Sequence, residues 1–106
     1  MFFELRQYRT KAGQRDNWVR FMEETIIPFQ VSRGMVITGS FVGQEEEDLY
    51  VWTRRFESED DRERLYKAVY ESDTWKNEIG PKIPDMLERD KTVVTRIVPT
   101  PKSVTH

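Results

Sequence analysis

Apolar residues along the chain recur either at every second position or at every third and fourth position. Alternation predicts four strands, in the segments FFELRQYRT, MVITGSFVG, LYVWTRRF and KTVVTRIVP. Helical spacing predicts two helices, one carrying Trp18, Met22 and Ile26 and one carrying Leu65 and Val69. The predicted order is therefore strand, helix, strand, strand, helix, strand.

Five residues predict where these elements begin, bend or end. Pro28 should end or kink the first helix, because proline lacks an N–H donor and clashes one turn back. Gly34 is suited to terminate that helix, and Gly39 indicates a bulge within the second strand. Ser58 and Asp61 resemble a capping box at the start of the second helix, with Asp in place of the usual Glu.

The element order predicts an α+β fold of the ferredoxin-like βαββαβ type. Right-handed crossovers place strands one and three side by side in the centre of an antiparallel four-stranded sheet, with strands two and four at its edges. Both helices then cover one face of the sheet. The length of 106 residues predicts one domain, with a core at about 2–98 and a tail at 99–106.

The segment YVWTRRF raises a question about faces, because Arg54 and Arg55 are neighbours in a strand and must point to opposite sides. One side of strands one and three carries charges and aromatic rings: Glu4, Arg6, Tyr8, Tyr50, Trp52, Arg54 and Phe56. The other side, called the milder side below because it has fewer charged and aromatic residues, carries Phe3, Leu5, Leu49, Val51 and Thr53. We expect the helices to cover this milder side, because the first is too charged for a helix-packed core.

Under this assignment Arg55 reaches out on the helix side, toward Asp60, Asp61 or Glu63 of the following helix. Arg54 then lies on the uncovered face. An uncovered sheet face rich in aromatic residues usually meets a partner, and the simplest partner is a second copy of the chain. The sequence therefore predicts a homodimer.

Composition excludes several classes of function. A net charge of −2 and no cluster of basic and aromatic residues argue against a nucleic-acid partner. No cysteine is present, which excludes disulfides and thiolate chemistry, and no apolar run is long enough to span a membrane. The sequence has no glycine-rich phosphate loop and no His/carboxylate metal set, so we expect no cofactor. The charged opening segment is unlike a signal peptide, which predicts a cytoplasmic protein.

Six residues on the charged side form the candidate ligand site: Glu4, Arg6, Tyr8, Tyr50, Trp52 and Arg54. One carboxylate cannot balance two guanidinium groups, so a small carboxylate or aromatic ligand, or a carboxylate of the partner subunit, would complete the cluster. Tyr8, Tyr50 or Glu4 could transfer a proton. The alternative is structural: an ion-pair network that fixes the register of the sheet, with the aromatic rings serving as packing.

The segments FFELRQY, IIPFQ, GMVITGSFVG and YVWTRRFESEDDRERLYKAVYESDTW resemble the NIPSNAP family, which belongs to the dimeric α+β barrel superfamily. The resemblance implies a homodimer whose two sheets pack face to face, and it supplies no reaction. Some superfamily members oxidise or isomerise small aromatic compounds. Three hypotheses follow: a barrel that binds a small anionic or aromatic molecule, a structural or protein-interaction module, and a cofactor-free monooxygenase-like or isomerase-like enzyme.

Overall fold

The computed structural model describes all residues 1–106, and its centre is one antiparallel sheet. The four strands are β1 (Phe2–Arg9), β2 (Val36–Val42), β3 (Leu49–Phe56) and β4 (Val93–Ile97), in the spatial order β2-β3-β1-β4. The predicted α+β arrangement, with the first and third strands in the centre, is confirmed. No helix has the length and apolar character needed to cross a membrane.

The first helical segment runs through Pro28 rather than ending before it. It consists of α1 (Arg15–Phe21), a π-helical turn (Met22–Ile26) and α2 (Ile27–Ser32). The Ile27 N–H donates to the carbonyl of Met22, five residues earlier, and Pro28 follows in the first turn of α2, where a missing N–H is tolerated. The wide turn therefore accommodates the proline that was predicted to end or kink the helix.

Gly34 terminates this helix as predicted. Its φ of 102° lies in the region that favours glycine, and its N–H donates to the Val31 carbonyl at 3.0 Å. The Met35 N–H donates to the Gln30 carbonyl, also at 3.0 Å, which completes a Schellman motif.

The second helix, α3 (Glu59–Tyr70), begins at the predicted cap. The Ser58 hydroxyl accepts a hydrogen bond from the Asp61 N–H at 3.1 Å, and the Asp61 carboxylate accepts one from the Glu57 N–H at 3.0 Å. A π-helical turn (Trp75–Ile79) and two 3₁₀ turns (Gly80–Asp85 and Arg89–Lys91) then lead to β4.

The helices cover one face of the sheet, but not the face that the sequence pattern indicated. Trp18, Met22 and Ile26 of the first helical segment pack in one core cluster with Tyr50 and Trp52. Strand register places Glu4, Arg6 and Tyr8 directly opposite Arg54, Trp52 and Tyr50, on this same covered face. The charged and aromatic side therefore faces the helices, and the predicted assignment of faces was wrong.

The physical reason is that α3 brings tyrosine hydroxyl groups to the charges. Tyr66 and Tyr70 hydrogen-bond the buried charged groups while their rings pack in the core. The milder side of β1 and β3 is the uncovered one: Phe3, Leu5, Leu49, Val51, Thr53 and Arg55. Arg55 pairs there with Glu57 rather than with the acids of α3.

The uncovered face is mainly aliphatic. The register of β2 shifts between Ile37 and Gly39, as the predicted bulge requires, so Phe41 lies opposite Val51 on this face. The apolar side chains of the face come from all four strands: Leu5, Val36, Phe41, Val51, Val93 and Ile97. Tail residues Pro99, Ser103 and Thr105 line a shallow groove with Phe3 at one end of the face.

Candidate functional site

Arg54 is the centre of a hydrogen-bond network between the sheet and the helices. Its side chain is fully buried. Nη1 donates to Gln30 Oε1 at 2.8 Å and to the Tyr70 hydroxyl at 2.7 Å, and Nη2 donates to Glu4 Oε1 at 2.7 Å and to the Tyr66 hydroxyl at 2.8 Å. The guanidinium group therefore ties β1, α2 and α3 to β3.

Aromatic rings enclose the same guanidinium group. Its central carbon lies 4.7 Å from the ring centroid of Trp52, 5.2 Å from that of Tyr66 and 5.7 Å from that of Phe56. Burial disfavours the charge of Arg54, but Tyr70, Tyr66 and Glu4 outweigh this effect and raise its pKa. Arg54 is therefore a permanent cation inside the core.

Glu4 is the counter-ion of this cluster, and its carboxylate is saturated with donors. Oε1 accepts from Arg54 at 2.7 Å and from Arg6 at 3.5 Å, and Oε2 accepts from Tyr66 at 2.7 Å and from Arg62 at 3.0 Å. Burial raises the pKa of Glu4, but Arg54 and the hydrogen bonds from Tyr66 and Arg62 outweigh it and lower the pKa to about 2. Both oxygens already accept hydrogen bonds and the pKa is lowered, which argues against the predicted proton transfer by Glu4.

A cavity of about 300 Å³ lies beside the cluster, between the sheet and the helices. Six aromatic side chains form much of its lining: Tyr8, Trp18, Trp52, Tyr66, Tyr70 and Trp75. Its polar residues beyond the aromatic ones are Arg6, Arg89 and Thr92. An apolar cavity with a few placed polar groups is the usual form of a small-molecule site.

Arg6 is the charged group of the cluster that lines this cavity. Its Nε donates to the Tyr8 hydroxyl at 2.8 Å and its Nη1 to the Tyr66 hydroxyl at 3.4 Å, while its Nη2 has no acceptor in the protein. Burial disfavours the charge of Arg6, but the contact with Tyr8 outweighs it and raises the pKa. Arg6 therefore contributes a fixed positive charge to the cavity lining, and its Nη2 has no hydrogen-bond acceptor in the protein.

Five of the six predicted site residues lie in or against this region. Arg6, Tyr8 and Trp52 line the cavity, while Glu4 and Arg54 form the layer behind it. The predicted surplus of positive charge is present, since Arg6 and Arg54 share the Glu4 carboxylate, while Arg62 contacts both Glu4 and Glu59.

Tyr50 is the sixth predicted residue, and it lies apart from the cavity. Its hydroxyl group pairs with Ser40 Oγ at 2.5 Å, at the β2 side of the sheet. Burial raises the pKa of Tyr50 to about 12. Its hydroxyl group is therefore occupied within the sheet rather than offered to a ligand.

The prediction missed four members of the network: Gln30, Arg62, Tyr66 and Tyr70. A signal for three of them exists in the sequence, because positions 62, 66 and 70 are four apart and share one face of α3. Gln30 is four residues beyond Ile26, but a glutamine in a helix is usually exposed, so the pattern predicted a surface residue there. Trp75 was not among the predicted site residues, and it also lines the cavity.

The family model described as NIPSNAP matches residues 3–102. No curated protein matches the chain in sequence. Among solved structures, a NIPSNAP family protein with unknown function from Agrobacterium tumefaciens is 28% identical, with a TM-score of 0.85, over 98% of this chain and 92% of that chain.

Two further solved structures resemble the chain at lower identity. A NIPSNAP family protein from Agrobacterium tumefaciens has a TM-score of 0.88 at 21% identity, over 99% of this chain and 98% of that chain. An uncharacterized NIPSNAP domain protein from Burkholderia xenovorans has a TM-score of 0.85 at 16% identity, over 97% and 98% of the two chains. These two similarities concern the fold alone.

Proposed function

The chain belongs to the NIPSNAP family, and we propose that it binds a small organic anion with an aromatic or aliphatic body in the cavity beside β1. The observation that carries this proposal is the position of Arg6, which lines an otherwise largely apolar space of about 300 Å³ and whose Nη2 has no acceptor in the protein. This volume is at the small end of ligand pockets, which suits a compact molecule.

Charge balance supports an anion rather than a neutral ligand. The side chains of Arg6, Arg54 and Arg62 contact the Glu4 carboxylate. Arg62 also pairs with Glu59 at 3.3 Å, so the excess positive charge comes from Arg6 and Arg54, which have Glu4 as their only carboxylate. Arg54 is fully buried, and Arg6 is 19% exposed. An anion at Arg6 lowers the free energy of this arrangement, because unbalanced charge in a poorly solvated site is costly.

Thermal denaturation with a panel of aromatic and aliphatic carboxylates at millimolar concentration tests the proposal. We expect the acids to raise the melting temperature of the wild type, and Arg6→Gln to remove the effect. Arg9→Gln is the matched control, since Arg9 is on the same strand but pairs with Glu46 and Asp48 at the surface. Ile83→Phe, which reduces the cavity volume, should also weaken binding while leaving Arg6 intact.

If no acid stabilises the wild type more than chloride does, the proposal fails. The charged cluster then has a structural role only, as an ion-pair network that holds β1, β3 and α3 in register.

We also propose that two copies of the chain associate through the uncovered sheet face. Exposed apolar side chains support this: Phe41 is 57% exposed, Val93 51% and Ile97 42%. A two-fold axis would bury the same patch on both copies, which is the usual geometry of a homodimer. Unlike the face first assigned to the interface, this one contributes no residue to the Arg54 cluster.

Light scattering coupled to size-exclusion chromatography tests the dimer. We expect the mass of two chains for the wild type and of one chain for Val51→Lys, which places a charge in the centre of the face. The control is Val31→Lys, because Val31 is 53% exposed on α2 and away from the sheet. A well-folded wild-type monomer at micromolar concentration would contradict the proposal.

A further inference from the structure

A second arginine, Arg89, lines the cavity from a different element than Arg6 does. It begins the 3₁₀ turn at Arg89–Lys91 and is exposed, whereas the side chain of Arg6 on β1 is only 19% exposed. The N–H of the preceding residue, Glu88, donates to the Arg9 carbonyl at 2.8 Å, which holds the start of this turn against the end of β1. The lining therefore contains one largely buried arginine and one exposed arginine.

Arg89 differs from the other arginines of the chain because its side chain has no partner in the protein. Every other arginine forms an ion pair, donates a hydrogen bond to a side chain or lies over an aromatic ring. Arg89 does none of these, although acidic residues precede and follow it at Glu88 and Asp90. Its guanidinium group is therefore available to a ligand in the cavity.

The charges around the cavity exceed what a ligand with one acid group can balance. Arg6 and Arg89 are the charged residues of the lining, and no acidic side chain belongs to it. Behind the lining, Arg6 and Arg54 share the Glu4 carboxylate, which leaves one positive charge in excess. A single carboxylate beside Arg6 balances that excess and leaves Arg89 without a counter-ion.

The hydrogen-bond donors near Arg6 also match a single carboxylate. The Tyr8 oxygen accepts from Arg6 at 2.8 Å and the Tyr70 oxygen accepts from Arg54 at 2.7 Å, while neither hydroxyl group donates to the protein. These two hydroxyl hydrogens and the two hydrogens of Arg6 Nη2 equal the lone-pair sites of one carboxylate, which number about four. An acid group bound there is fully hydrogen-bonded without Arg89.

From this arrangement, which rests on the proposed anion site, we infer that the ligand is a dicarboxylate with an apolar body between its two acid groups. The inner carboxylate accepts hydrogen bonds from Arg6 and the two tyrosines, and the apolar body contacts the aromatic lining. The outer carboxylate pairs with Arg89 and keeps part of its hydration, because Arg89 is exposed. Arg89 is thus the residue that distinguishes a dicarboxylate from a monocarboxylate.

Isothermal titration calorimetry with hexanedioate, octanedioate and decanedioate, each compared with its own monoamide, tests the inference. The monoamide keeps the chain length and one carboxylate, and it replaces the second carboxylate by an uncharged group of similar size. A flexible chain of graded length lets the second carboxylate reach Arg89 without a fixed separation from Arg6. We expect at least one diacid to bind about fivefold to tenfold more tightly than its monoamide at low ionic strength. Two equivalent ends account for only about twofold of this advantage.

Variants then locate the recognition of the second carboxylate. Arg89→Gln should reduce the advantage of the diacid to about twofold and leave the affinity for the monoamide unchanged. Lys91→Gln is the matched control, because Lys91 is an exposed cation of the same turn that does not line the cavity. It should leave the advantage unchanged. Arg6→Gln should abolish the binding of both compounds.

The outcomes separate the two proposals. An advantage of about twofold or less for every diacid would overturn the dicarboxylate inference, while binding of the monoamides would leave the anion site in place. A larger advantage that survives Arg89→Gln, or that Lys91→Gln removes to the same extent, would also overturn the inference. If neither the diacids nor the monoamides bind, the anion site fails, and the inference fails with it.

Discussion

Arg54 and Arg55 are adjacent in the chain and experience opposite environments. Arg54 is fully buried and donates to four side-chain oxygens from β1, α2 and α3. Arg55 is 24% exposed and pairs only with Glu57, two residues away. The contrast shows that the partners within reach, and not the polarity of a residue, decide which side of this sheet accepts a charge.

The same contrast holds for the two faces of the sheet. The covered face contains the buried charges of the Arg54 cluster, which have aromatic and hydroxyl partners, and this face borders the cavity. The uncovered face is aliphatic and has no comparable network; its polar contacts include the hydroxyl pair of Thr38 and Thr53 at 2.7 Å. Substitutions on the two faces should therefore differ sharply in their effect on stability.

The largest expected difference is between the two arginines. Arg54→Ala should lower the free energy of unfolding by about 3–5 kcal/mol, because it leaves the Glu4 carboxylate buried with a missing partner. Arg55→Ala should lower it by less than about 1 kcal/mol, since an exposed pair contributes little. Urea denaturation of both variants measures the difference, and equal losses would contradict the observed assignment of faces.

Low pH should remove the second largest contribution to the free energy of unfolding, which comes from Glu4. The pKa of Glu4 is about 2 in the folded protein against 4.5 as its ordinary value, so its carboxylate stabilises the fold fully above pH 4.5. That contribution, about 3 kcal/mol, is lost as the pH falls from 4.5 through 2.

Urea denaturation at a series of pH values from 2 to 7 checks this expectation. Glu4→Gln is the control, because it cannot titrate and should lack this part of the pH dependence. Parallel curves for the wild type and Glu4→Gln between pH 2 and 4.5 would show that the Glu4 pKa is not lowered.

The smallest expected changes in stability come from removing one hydroxyl group on each face of the sheet. Tyr66→Phe should cost about 1–3 kcal/mol, because the hydroxyl group donates to Glu4 at 2.7 Å and accepts from Arg54 at 2.8 Å. Thr53→Val removes a hydroxyl group of similar hydrogen-bond length from the uncovered face and should change stability by less than about 0.5 kcal/mol. Thermal unfolding of both variants is sufficient, and a larger loss for Thr53→Val would reverse the comparison.

The Ser58 cap and the Gly34 terminus were predictable because each depends on local chemistry. Strand order was predictable because the order of elements and the right-handed crossover rule leave few arrangements. Alternation along β1 and β3 correctly grouped Glu4 with Arg54 and Tyr8 with Tyr50. It could not say which group faces the helices, because alternation has the same period on either side of a sheet.

The candidate site was only partly predictable for a related reason. Arg6, Tyr8 and Trp52 are visible as unusual residues in strands, and they do line the cavity. The separation of Tyr50 from the cavity depends on its pairing with Ser40, which the bulge at Gly39 places opposite Trp52 in the neighbouring strand. The role of Gln30 depends on the phase of its helix, which is the direction about the helix axis in which each residue points. The π-helical turn changes this phase from that of a regular α-helix.

That phase has a consequence for insertions and deletions. Trp18, Met22, Ile26 and Gln30 are all almost fully buried at intervals of four residues, although residues four apart on a regular α-helix diverge by about 40° per interval. The wide turn at Met22–Ile26 reduces this divergence. Deleting one residue there would restore the regular spacing and rotate all later residues of the helix by about 100° about its axis. The length of this turn, more than the identity of its exposed residues, therefore determines whether one helix supplies both the cavity wall and the Gln30 amide that holds Arg54.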